Sequence, residues 1–569
     1  MRLKKFSVTN YKVFDKTFSV DFATDSIVIL TGRNNTGKST ILEAINCFFT
    51  KETKATTIPG DCYSNRNSKI VLEAHFDCNG ESLIFTKHYQ DGQAPKYYAD
   101  DKEIKATHPL REKFDEIINN KPYYITPYMS SDDINNLIQT IYSQIIKSDL
   151  QKLEEELNQQ DQEESVSESR NRIREEYAQI KKALPTFLRK LKSSTDSLLN
   201  QVSQDVSKDL QDLFSNDELS LRVIGGESDG FSTNDIIKST NSSVYIDNKR
   251  NKEMPLSNQG TGLQRMSLIY LIQNMIQNKI MGETDDKLLL IDEPEAFLHP
   301  EAVRALSRSL YKIGAQMPLM ISTHSPILID LSEKHTSIQV LRVVNEEAIQ
   351  LYKSKTDQFT EDDRKNMKIL NYVDSYVNEF FFAKKIIIVE GDTEYIAFKH
   401  LAKNNNENIH IIRARGKATI CTLMKILNQF NTEYYVLHDV DNDNNYALKT
   451  LKAQLTNCKN ILDLKTKDSI EIYASISTFE VALGIGSLPN HKKTQVIHDL
   501  IHEITDDAPL ITAQQEVKNL FNYIVKRNNR AELGYGFRKI DNKQDYEDLF
   551  LGLIKQKELE EQQNDEVEV

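Results

Sequence analysis

The chain has 569 residues, of which 39% are hydrophobic, and this length predicts two or three domains with sizeable cores. Its formal net charge of −13 argues against a uniformly basic nucleic-acid surface but not against a local basic stripe or a metal site. Five scattered cysteines without a CxxC pair argue against a disulfide framework or a zinc ribbon. Because no apolar run has the ~20 residues of a membrane span, we expect a cytoplasmic protein with no membrane partner.

The first strong pattern is an apolar run followed by a glycine-rich loop. Residues 26–31 predict a buried strand, and residues 32–39 read GxxxxGKS. In such a loop backbone N–H groups surround a phosphate, the lysine reaches the β- and γ-phosphates, and the serine hydroxyl binds Mg²⁺. The predicted nucleotide-binding residues here are Gly32, Asn35, Gly37, Lys38, Ser39 and Thr40.

The next segment changes from a strand pattern to a helix pattern. Residues 69–127 predict β structure with a hairpin at Asn79-Gly80. Apolar residues then recur at three and four in 134–157 and again in 173–214, which predicts a helical insertion. Such an insertion is either a packed structural arm or a direct DNA contact, and the pattern favours the arm.

Three later segments complete the predicted nucleotide site. Ser257 lies in a Ser- and Gly-rich turn that opens a helix, where it either helps to bind an anion or only caps the helix. The apolar run 288–291 ends in Asp292 and Glu293, which we expect to hold Mg²⁺ through water and to polarise the attacking water. His324 ends a further strand; a lone histidine is usually structural, but this one closes a set in the expected order.

Four carboxylates predict a second site. Glu390 and Glu394 follow one apolar run, and Asp439 and Asp441 follow another about fifty residues later. Parallel sheets place their chemistry at the carboxyl ends of the strands, and alternation puts both aspartates on one side of the chain. The four side chains therefore predict a site for hard divalent cations.

The order of elements around these carboxylates predicts a small doubly wound sheet. The predicted strands are 386–389, 408–413, 434–438 and 470–474, and the predicted helices between them are 393–403 and 418–431. Gly416-Lys417 opens the second helix, either to hold a phosphate or merely to turn the chain. Beyond about residue 490 we expect helical, polar sequence, and a disordered acidic tail at 557–569.

These motifs together resemble a known family. The first half resembles the ABC-type ATPases of the DNA-repair and structural-maintenance kind, and the second half resembles a Toprim domain. The matching segments are 10–14, 32–39, a degenerate signature at 257–265, 288–293, 298–300, His324, Glu390-Gly391, Glu394 and 439–441. This pairing, in this order, resembles the overcoming lysogenization defect (OLD) family of nucleases, whose members include the ATPase-nuclease subunit of Gabija-type phage-defence systems.

The resemblance implies an α/β fold class: an N-terminal ABC-type P-loop ATPase with a helical insertion, followed by a C-terminal Toprim domain. The implied domains are the ATPase in two parts, 1–133 and 221–375, the insertion 134–220 as a dimerisation arm, the Toprim domain 376–556 and the tail 557–569. It implies ATP, Mg²⁺ or Mn²⁺ in both sites, DNA as substrate and possible association with a helicase-like partner protein. Since the nucleotide is shared between Lys38 of one subunit and Ser257 of another, it also implies a dimer or tetramer.

Residue roles follow from the same resemblance. The implied mechanism is two-metal hydrolysis, in which Glu390, Glu394, Asp439 and Asp441 bind the metals, with Ser39 as the Mg²⁺ ligand of the ATPase. Glu480 is either a further ligand or a surface carboxylate. The family also uses a late lysine near the scissile phosphate; Lys492, Lys493 and Lys526 are candidates that no motif separates, and Lys526 is placed with the catalytic residues Glu390, Asp439, Asp441 and Glu293. A clear Q-loop glutamine is missing from 123–150.

The resulting prediction is an ATP-binding, metal-dependent DNA endonuclease of antiviral defence, in which nucleotide regulates access rather than driving cleavage. One alternative is a non-cleaving ATP-driven DNA clamp or sensor whose acidic cluster is only structural. Another is a topoisomerase- or primase-like Toprim enzyme, for which the sequence offers no tyrosine motif and no zinc ribbon.

Overall fold

The computed structural model describes most of the chain in two compact units. The described residues are 2–22, 26–52, 54, 58, 60–78, 80–129, 133–134, 136–137, 190, 193, 197, 199–224, 243–247, 254–277, 287–331, 337–344, 348–353, 359–373, 375–502, 508–527 and 532–567. The first unit comprises Met1–Leu328 and Leu341–Leu351, and the second comprises Ile329–Val340 and Tyr352–Val569. Every helix in these ranges is too short or too polar to cross a membrane.

The elements up to residue 353 include fifteen strands and four α-helices in the described ranges, besides the helical residues 199–214. The strands are β1 Arg2–Thr9, β2 Phe18–Asp21, β3 Ile27–Gly32, β4 Ile70–Cys78, β5 Glu81–Tyr89, β6 Lys96–Ala99, β7 Lys102–Glu103, β8 Tyr123–Ile125, β9 Ser220–Ile224, β10 Ser243–Asp247, β11 Met254–Pro255, β12 Leu289–Asp292, β13 Leu319–Ser322, β14 Ile338–Val344 and β15 Ala348–Lys353. The helices are α1 Lys38–Phe49, α2 Arg111–Asn119, α3 Thr261–Gln277 and α4 Pro300–Gly314.

One six-stranded sheet positions the nucleotide motifs, with the order β15-β14-β3-β13-β12-β8. β13 pairs in parallel with both β3 and β12, and β12 pairs in parallel with β8. Buried parallel strands read as continuous apolar runs, as β3 and β12 do here. Their carboxyl ends, Gly32, Asp292 and Ser322, therefore meet at one edge of the sheet.

A second sheet, β2-β1-β4-β5-β6-β7, is antiparallel. β4 alternates buried and half-buried residues, as a strand with one face on a core should. Cys78 lies opposite Glu81, so β4 and β5 form the predicted hairpin. Phe48 of α1 contacts Phe6 and Phe76 of this sheet, with ring centroids 6.2 and 6.3 Å apart, so the helix that follows the phosphate loop belongs to the same core.

The predicted helical insertion is described only in part. Residues 199–214 are helical, as predicted, and Leu199, Val202, Val206 and Leu210 are buried at a three-to-four spacing. Most of the two predicted stretches, 134–157 and 173–214, lies outside the described residues. β9, β10 and β11 then form a small antiparallel sheet.

The second unit is built on a five-stranded sheet with the order β17-β16-β18-β19-β20. Its strands are β16 Ile386–Val389, β17 His410–Arg413, β18 Tyr435–Asp439, β19 Glu471–Ser475 and β20 Phe537–Ile540. Its helices are α5 Glu361–Val373, α6 Asp392–Asn404, α7 Lys417–Gln429, α8 Leu448–Asp463, α9 Phe479–Ala482, α10 Asn490–His502, α11 Ala508–Ile524 and α12 Lys543–Val567. The four predicted strands exist, are parallel and alternate with helices, so the predicted doubly wound sheet is confirmed.

Two predictions for the C-terminal region are wrong. β20 interrupts the region expected to be helical; it pairs antiparallel with β19, with Phe537 opposite Ser475. The expected disordered tail is helical as far as residue 567, because α12 continues through it. Nζ of Lys452 in α8 lies 2.8 Å from Oε1 of Glu558, so the helix found in place of the predicted tail contacts another helix of the second unit.

Candidate functional site

The phosphate loop is the turn between β3 and α1, and its backbone requires glycine. Gly37 has a φ of 88°, and a Cβ built there would lie 2.4 Å from Cζ of Phe14. A side chain would therefore meet both backbone strain and a steric clash. Asn35 also has a positive φ, of 62°, while Thr40 lies in the first turn of α1.

Lys38 is held across this loop. Its Nζ donates hydrogen bonds to the carbonyl oxygens of Gly32, at 3.1 Å, and Arg33, at 2.9 Å. Burial lowers the pKa of Lys38 to about 8, against the opposing effect of Glu293 and Asp292. The negative charge of a bound phosphate would raise the pKa of Lys38 again and so keep its amine protonated.

Ser39 and Asp292 are in contact at the edge of the phosphate loop. The Ser39 hydroxyl donates to Oδ1 of Asp292 at 2.8 Å, and the Ser322 hydroxyl donates to the same oxygen. A hydroxyl and a carboxylate in contact at the edge of a phosphate loop are the ligand types that Mg²⁺ takes beside a nucleotide. These residues therefore fit the ion that the motif implies.

Glu293 and His324 form a pair beside the magnesium ligands. Glu293 has a φ of 44° and its N–H donates to the Ser322 carbonyl at 3.0 Å, which fixes the turn after β12. Its Oε1 lies 3.6 Å from Nε2 of His324. Burial, and then Lys38, lower the pKa of His324 to about 4, so the imidazole is neutral at physiological pH. A strained residue in an acid–histidine pair is typical of a site that orients water.

Glu295 is a residue of this site that the sequence analysis missed. Its Oε1 accepts hydrogen bonds from the Thr323 hydroxyl at 2.7 Å and from the N–H groups of His324 at 2.8 Å and Ser325 at 3.1 Å. Burial raises its pKa. Glu295 therefore holds the loop that carries His324, and the signal for it was a third carboxylate directly after the strand.

The second site lies at the carboxyl ends of β16 and β18. The Glu390 N–H donates to the Leu437 carbonyl at 3.1 Å, and Oε2 of Glu390 accepts from the Asp439 N–H at 3.0 Å. Burial raises the pKa of Glu390, although Lys417 opposes the shift. Two carboxylates 49 residues apart are thus tied together by backbone pairing.

The surroundings of the Asp439 carboxylate show whether this cluster suits a metal ion. Its Oδ1 is buried and accepts no hydrogen bond within the described chain. Burial, and then Glu394 and Glu390, raise the pKa of Asp439 well above its ordinary value. Glu394 is 1% exposed, and burial raises its pKa to about 7. A buried carboxylate oxygen without a donor, among further carboxylates, fits a divalent cation.

Lys417, for which the sequence left a phosphate contact and a simple chain turn as alternatives, lies among the carboxylates. Its Nζ lies 3.6 Å from Oε1 of Glu390 and forms an ion pair with Asp441, whose φ is 58°. Burial alone would lower the pKa of Lys417. The charges of Glu390 and Asp441 outweigh burial and raise this pKa to about 12. Gly416-Lys417 therefore does more than turn the chain. In the described residues no three His, Cys, Asp or Glu side chains stand close enough to enclose a metal, and the ammonium neutralises Glu390 and Asp441 instead.

Glu480 and Lys493 border the same cluster. Glu480 is 1% exposed, so the alternative of a surface carboxylate is wrong. Its Oε2 accepts from the Thr478 hydroxyl at 2.9 Å and from Nζ of Lys493 at 3.0 Å. Burial opposes the charged form of Lys493, but Glu480, Asp439 and Glu394 together outweigh burial and raise the pKa of Lys493.

Two family descriptions match the chain in the order of its two sites. The AAA ATPase domain matches residues 1–329, and the overcoming lysogenization defect protein-like TOPRIM domain matches residues 381–441. The chain belongs to the OLD family of ATPase–Toprim nucleases. The predicted family and the predicted fold class are confirmed.

Three curated relatives of this OLD-family chain are nucleases by name. The Old nuclease of Escherichia phage P2 is 25% identical over 57% of this chain and 58% of its own length, so the match spans little more than half of that protein. The OLD nuclease of Thermus scotoductus is 23% identical over 77% of this chain and 82% of its own. Endonuclease GajA of Bacillus cereus is 22% identical over 83% and 81%. The prediction of an ATPase domain followed by a Toprim domain is confirmed by the two family matches.

The predicted signature of the OLD-family ATPase lies in a well-anchored loop. Gln264 donates to the carbonyl oxygens of Ser257 at 3.0 Å and Gln259 at 2.7 Å, which folds the turn onto the start of α3. Arg265 donates to the carbonyl oxygens of Glu293 at 3.1 Å and Ala296 at 2.9 Å, so it joins this turn to the one that follows β12. The pairing of Ser257 with Lys38 of another subunit stays a prediction.

Lys526 is not brought to the OLD-family Toprim cluster. Its Nζ donates to Oδ1 of Asn405 at 2.7 Å, at the carboxyl end of α6. Glu394 lies in the first turn of that helix, about 16 Å away along its axis. The placement of Lys526 with the catalytic residues is therefore corrected. Lys493 is the late lysine that lies beside the carboxylates, and Lys417 is a buried lysine in the same cluster.

Proposed function

We propose that this chain cleaves DNA by divalent-metal-dependent phosphodiester hydrolysis in its Toprim unit, under the control of nucleotide bound to its ATPase unit. The observation that carries the proposal is Asp439, whose buried Oδ1 has no donor in the described chain and whose neighbours Glu390 and Glu394 are also carboxylates. Such a cluster is unfavourable unless a cation joins it. The match to the OLD-like TOPRIM domain supports the same assignment.

Five carboxylates are the proposed metal ligands, and their side chains would have to draw closer together around the ions than they stand in the described residues. They are Glu390, Glu394, Asp439, Asp441 and Glu480. When bound, Mg²⁺ or Mn²⁺ supplies an activated water and charge stabilisation at the leaving oxygen. Glu390 is oriented for this role by the Asp439 N–H, and Asp441 by its backbone bond to the Ser477 carbonyl at 2.9 Å.

Two lysines complete the site with different duties. Lys417, buried between Glu390 and Asp441, limits the repulsion within the cluster and fixes both side chains. Lys493 is less buried, and its bond to Glu480 holds it at the border of the cluster. A cation in that place would bind the phosphate next to the one that is cleaved.

The ATPase unit acts as the control element in this proposal. Lys38 and Ser39 would bind the phosphates and Mg²⁺ of ATP, Asp292 would hold the ion, and Glu293 with His324 would orient the hydrolytic water. Metal-dependent hydrolysis of DNA needs no energy from ATP, so the nucleotide regulates access to the cluster. A dimer or tetramer follows if Ser257 completes the site of another subunit.

We extend the proposal to antiviral defence on the resemblance to the Gabija-type subunit and on the similarity to endonuclease GajA. A helicase-like protein is the proposed partner in that role. Neither extension is needed for the chemistry.

The test is cleavage of supercoiled plasmid by the purified protein in Mg²⁺ or Mn²⁺, with and without ATP. Nicked or linear product is expected, and Asp439→Ala should abolish it while Asp468→Ala, at an exposed aspartate, should not. Lys38→Ala should remove the response to ATP but keep cleavage. A clamp or sensor, the alternative function, would hydrolyse ATP and bind DNA without any metal-dependent product.

A further inference from the structure

Tyr535 is a fully exposed aromatic residue on the loop that enters β20. Within the described chain its ring makes no ring stacking, cation–π contact or hydrogen bond. Large aromatic side chains contribute much of the binding energy where they become buried, and leaving one in water forfeits that contribution. A solvated tyrosine on this loop is therefore available to a partner from outside the chain.

The backbone beneath this ring is closely fixed. The Ile476 N–H donates to the Gly536 carbonyl at 2.8 Å, and the Phe537 N–H donates to the Gly534 carbonyl at 2.9 Å. A Cβ on Gly536 would lie 2.0 Å from the Ala482 carbonyl oxygen, so the loop packs directly on α9. The ring of Tyr535 is thus carried by a rigid base rather than by a loose loop.

The sheet register places this base beside the carboxylate cluster. Asp439 pairs with Ser475, and Ser475 pairs with Phe537, so Phe537 lies two strands from Asp439, about 10 Å away. β20 runs antiparallel to β19, so its start lies at the carboxyl edge of the parallel strands, where the carboxylates are. Glu480 of the cluster lies in α9, the helix against which Gly536 packs.

Basic side chains also lie near this edge, next to the carboxylates. α10 begins with His491, Lys492 and Lys493, and Lys493 reaches Glu480 of the cluster. A basic helix start and an exposed ring on the same edge are the two components with which proteins hold single-stranded nucleic acid: cations for the backbone and aromatic faces for the bases.

We propose that Tyr535 is a stacking platform for a base of the DNA strand next to the phosphate that is cleaved. This rests on the proposed nuclease function, which it deepens by naming the substrate form. A ring can stack only on a base whose face is free, so the enzyme engages DNA with unpaired or unstacked bases at the cut. Stacking is tolerant of base identity, so no sequence preference follows from this contact.

The chain contains no tryptophan, which allows a direct optical test. Tyr535→Trp places a single indole at the proposed platform, and Asp439→Asn in the same protein prevents cleavage during the measurement. Single-stranded oligonucleotide should quench this fluorescence at least twofold. An abasic oligonucleotide of the same length keeps the phosphates and should bind without quenching. Leu559→Trp, at an exposed position in the last turns of α12, is the control that should not respond.

Affinity gives a second measurement in the full chain. Tyr535→Ala should weaken binding of single-stranded oligonucleotide about 5- to 150-fold, whereas Tyr535→Phe should stay within about twofold, since stacking needs the ring and not the hydroxyl. Cleavage by Tyr535→Ala should show a raised KM with little change in kcat.

The outcomes separate the two proposals. If wild-type protein cleaves DNA but the indole at 535 is not quenched, or is quenched equally by the abasic strand, the platform is wrong and the nuclease stands. If the fluorescence of the indole at position 535 falls as the protein concentration rises in the absence of DNA, Tyr535 lies in a contact between copies of the chain. That result also overturns the platform. If neither binding nor cleavage of DNA occurs, the proposed function fails and the platform fails with it.

Discussion

Nζ of Lys417 lies 3.6 Å from Oε1 of Glu390 and also pairs with Asp441, so one buried ammonium neutralises carboxylates from two different strand ends. The Lys417 side chain is only 6% exposed. Its charge is therefore a structural requirement of the site as well as a candidate functional group.

Lys417→Met should destabilise the protein and abolish cleavage. Removing one partner of a buried ion pair costs about 3–5 kcal/mol, because the remaining charges stay uncompensated. Lys452→Met is the matched control. The Lys452 side chain is 54% exposed, so loss of its ion pair with Glu558 should lower the free energy of unfolding by less than about 1 kcal/mol. Urea unfolding of both variants measures the difference, and equal losses would contradict the buried role of Lys417.

Asp439→Asn should have the opposite effect on stability while also abolishing cleavage. Burial, Glu394 and Glu390 disfavour the charged Asp439, so a neutral amide should raise the free energy of unfolding of metal-free protein at pH 8. Added Mg²⁺ should stabilise the wild type more than the variant, because the ion binds only the folded state. Thermal unfolding with EDTA and with Mg²⁺ tests both statements; a variant that is less stable yet still cleaves would refute them.

Glu293→Gln should separate ATP binding from ATP hydrolysis. Glu293 is poised beside His324 and acts on the Lys38 ammonium only through its charge, because the hydrogen bonds described for Lys38 go to the Gly32 and Arg33 carbonyls; the amide should therefore keep most of the nucleotide affinity. Loss of a general base lowers kcat by about 10²- to 10⁴-fold. Phosphate release and binding of a fluorescent ATP analogue are the measurements, with Glu301→Gln at the exposed start of α4 as the control. Unchanged phosphate release would exclude Glu293 as the base.

A pair of histidines away from both sites should make stability depend on pH. His400 Nδ1 lies 2.9 Å from His502 Nε2, and the Asn404 amide donates to the other His400 nitrogen at 2.6 Å. Burial, and then His502 and His498, lower the pKa of His400 in the folded state. The folded state therefore binds fewer protons than the unfolded state, so this contribution is present above the unfolded pKa of about 6.5 and is lost as pH falls below it.

His400→Gln should reduce that pH dependence, since glutamine can accept the Asn404 bond without titrating. Urea unfolding between pH 5 and pH 8 measures it as a smaller slope of the free energy of unfolding against pH. The same slope in wild type and variant would show that His400 does not titrate differently on folding.

The sequence predicted that the phosphate loop, the strand ending in Asp292 and His324 come together, and the structure places them at one edge of a sheet; nucleotide binding by these residues stays a prediction. Each part of this predicted site is a short segment in which strand, turn and chemistry are adjacent in the chain, as in the loop that ends at Ser39 and the strand that ends at Asp292. The four Toprim carboxylates were found for the same reason. Glu295 was missed because its role, holding the His324 loop, is a contact across 29 residues with no local pattern.

The late cations could not be chosen from sequence because nothing local distinguishes them. Lys417 and Lys493 lie in the first turns of helices and Lys526 just after the end of α11, and only the fold shows that Lys526 lies at the wrong end of α6. β20 was missed because a four-residue strand gains its stability from pairing with β19, not from its own sequence. The helix that replaced the predicted tail is stabilised by packing on α8, which composition does not report.

β18 lies between β16 and β19, so the cluster around Asp439 needs strand ends that are separated in sequence and that meet only through crossover helices. During synthesis from the N-terminus, the phosphate loop and the strand ending in Asp292 are complete long before Glu480 has been made. Because domains fold in the order in which they leave the ribosome, we expect the nucleotide-responsive half to exist before the cutting half can close. On the proposed function, a cell that makes this protein thus has the controlling domain in place before the domain that it would control.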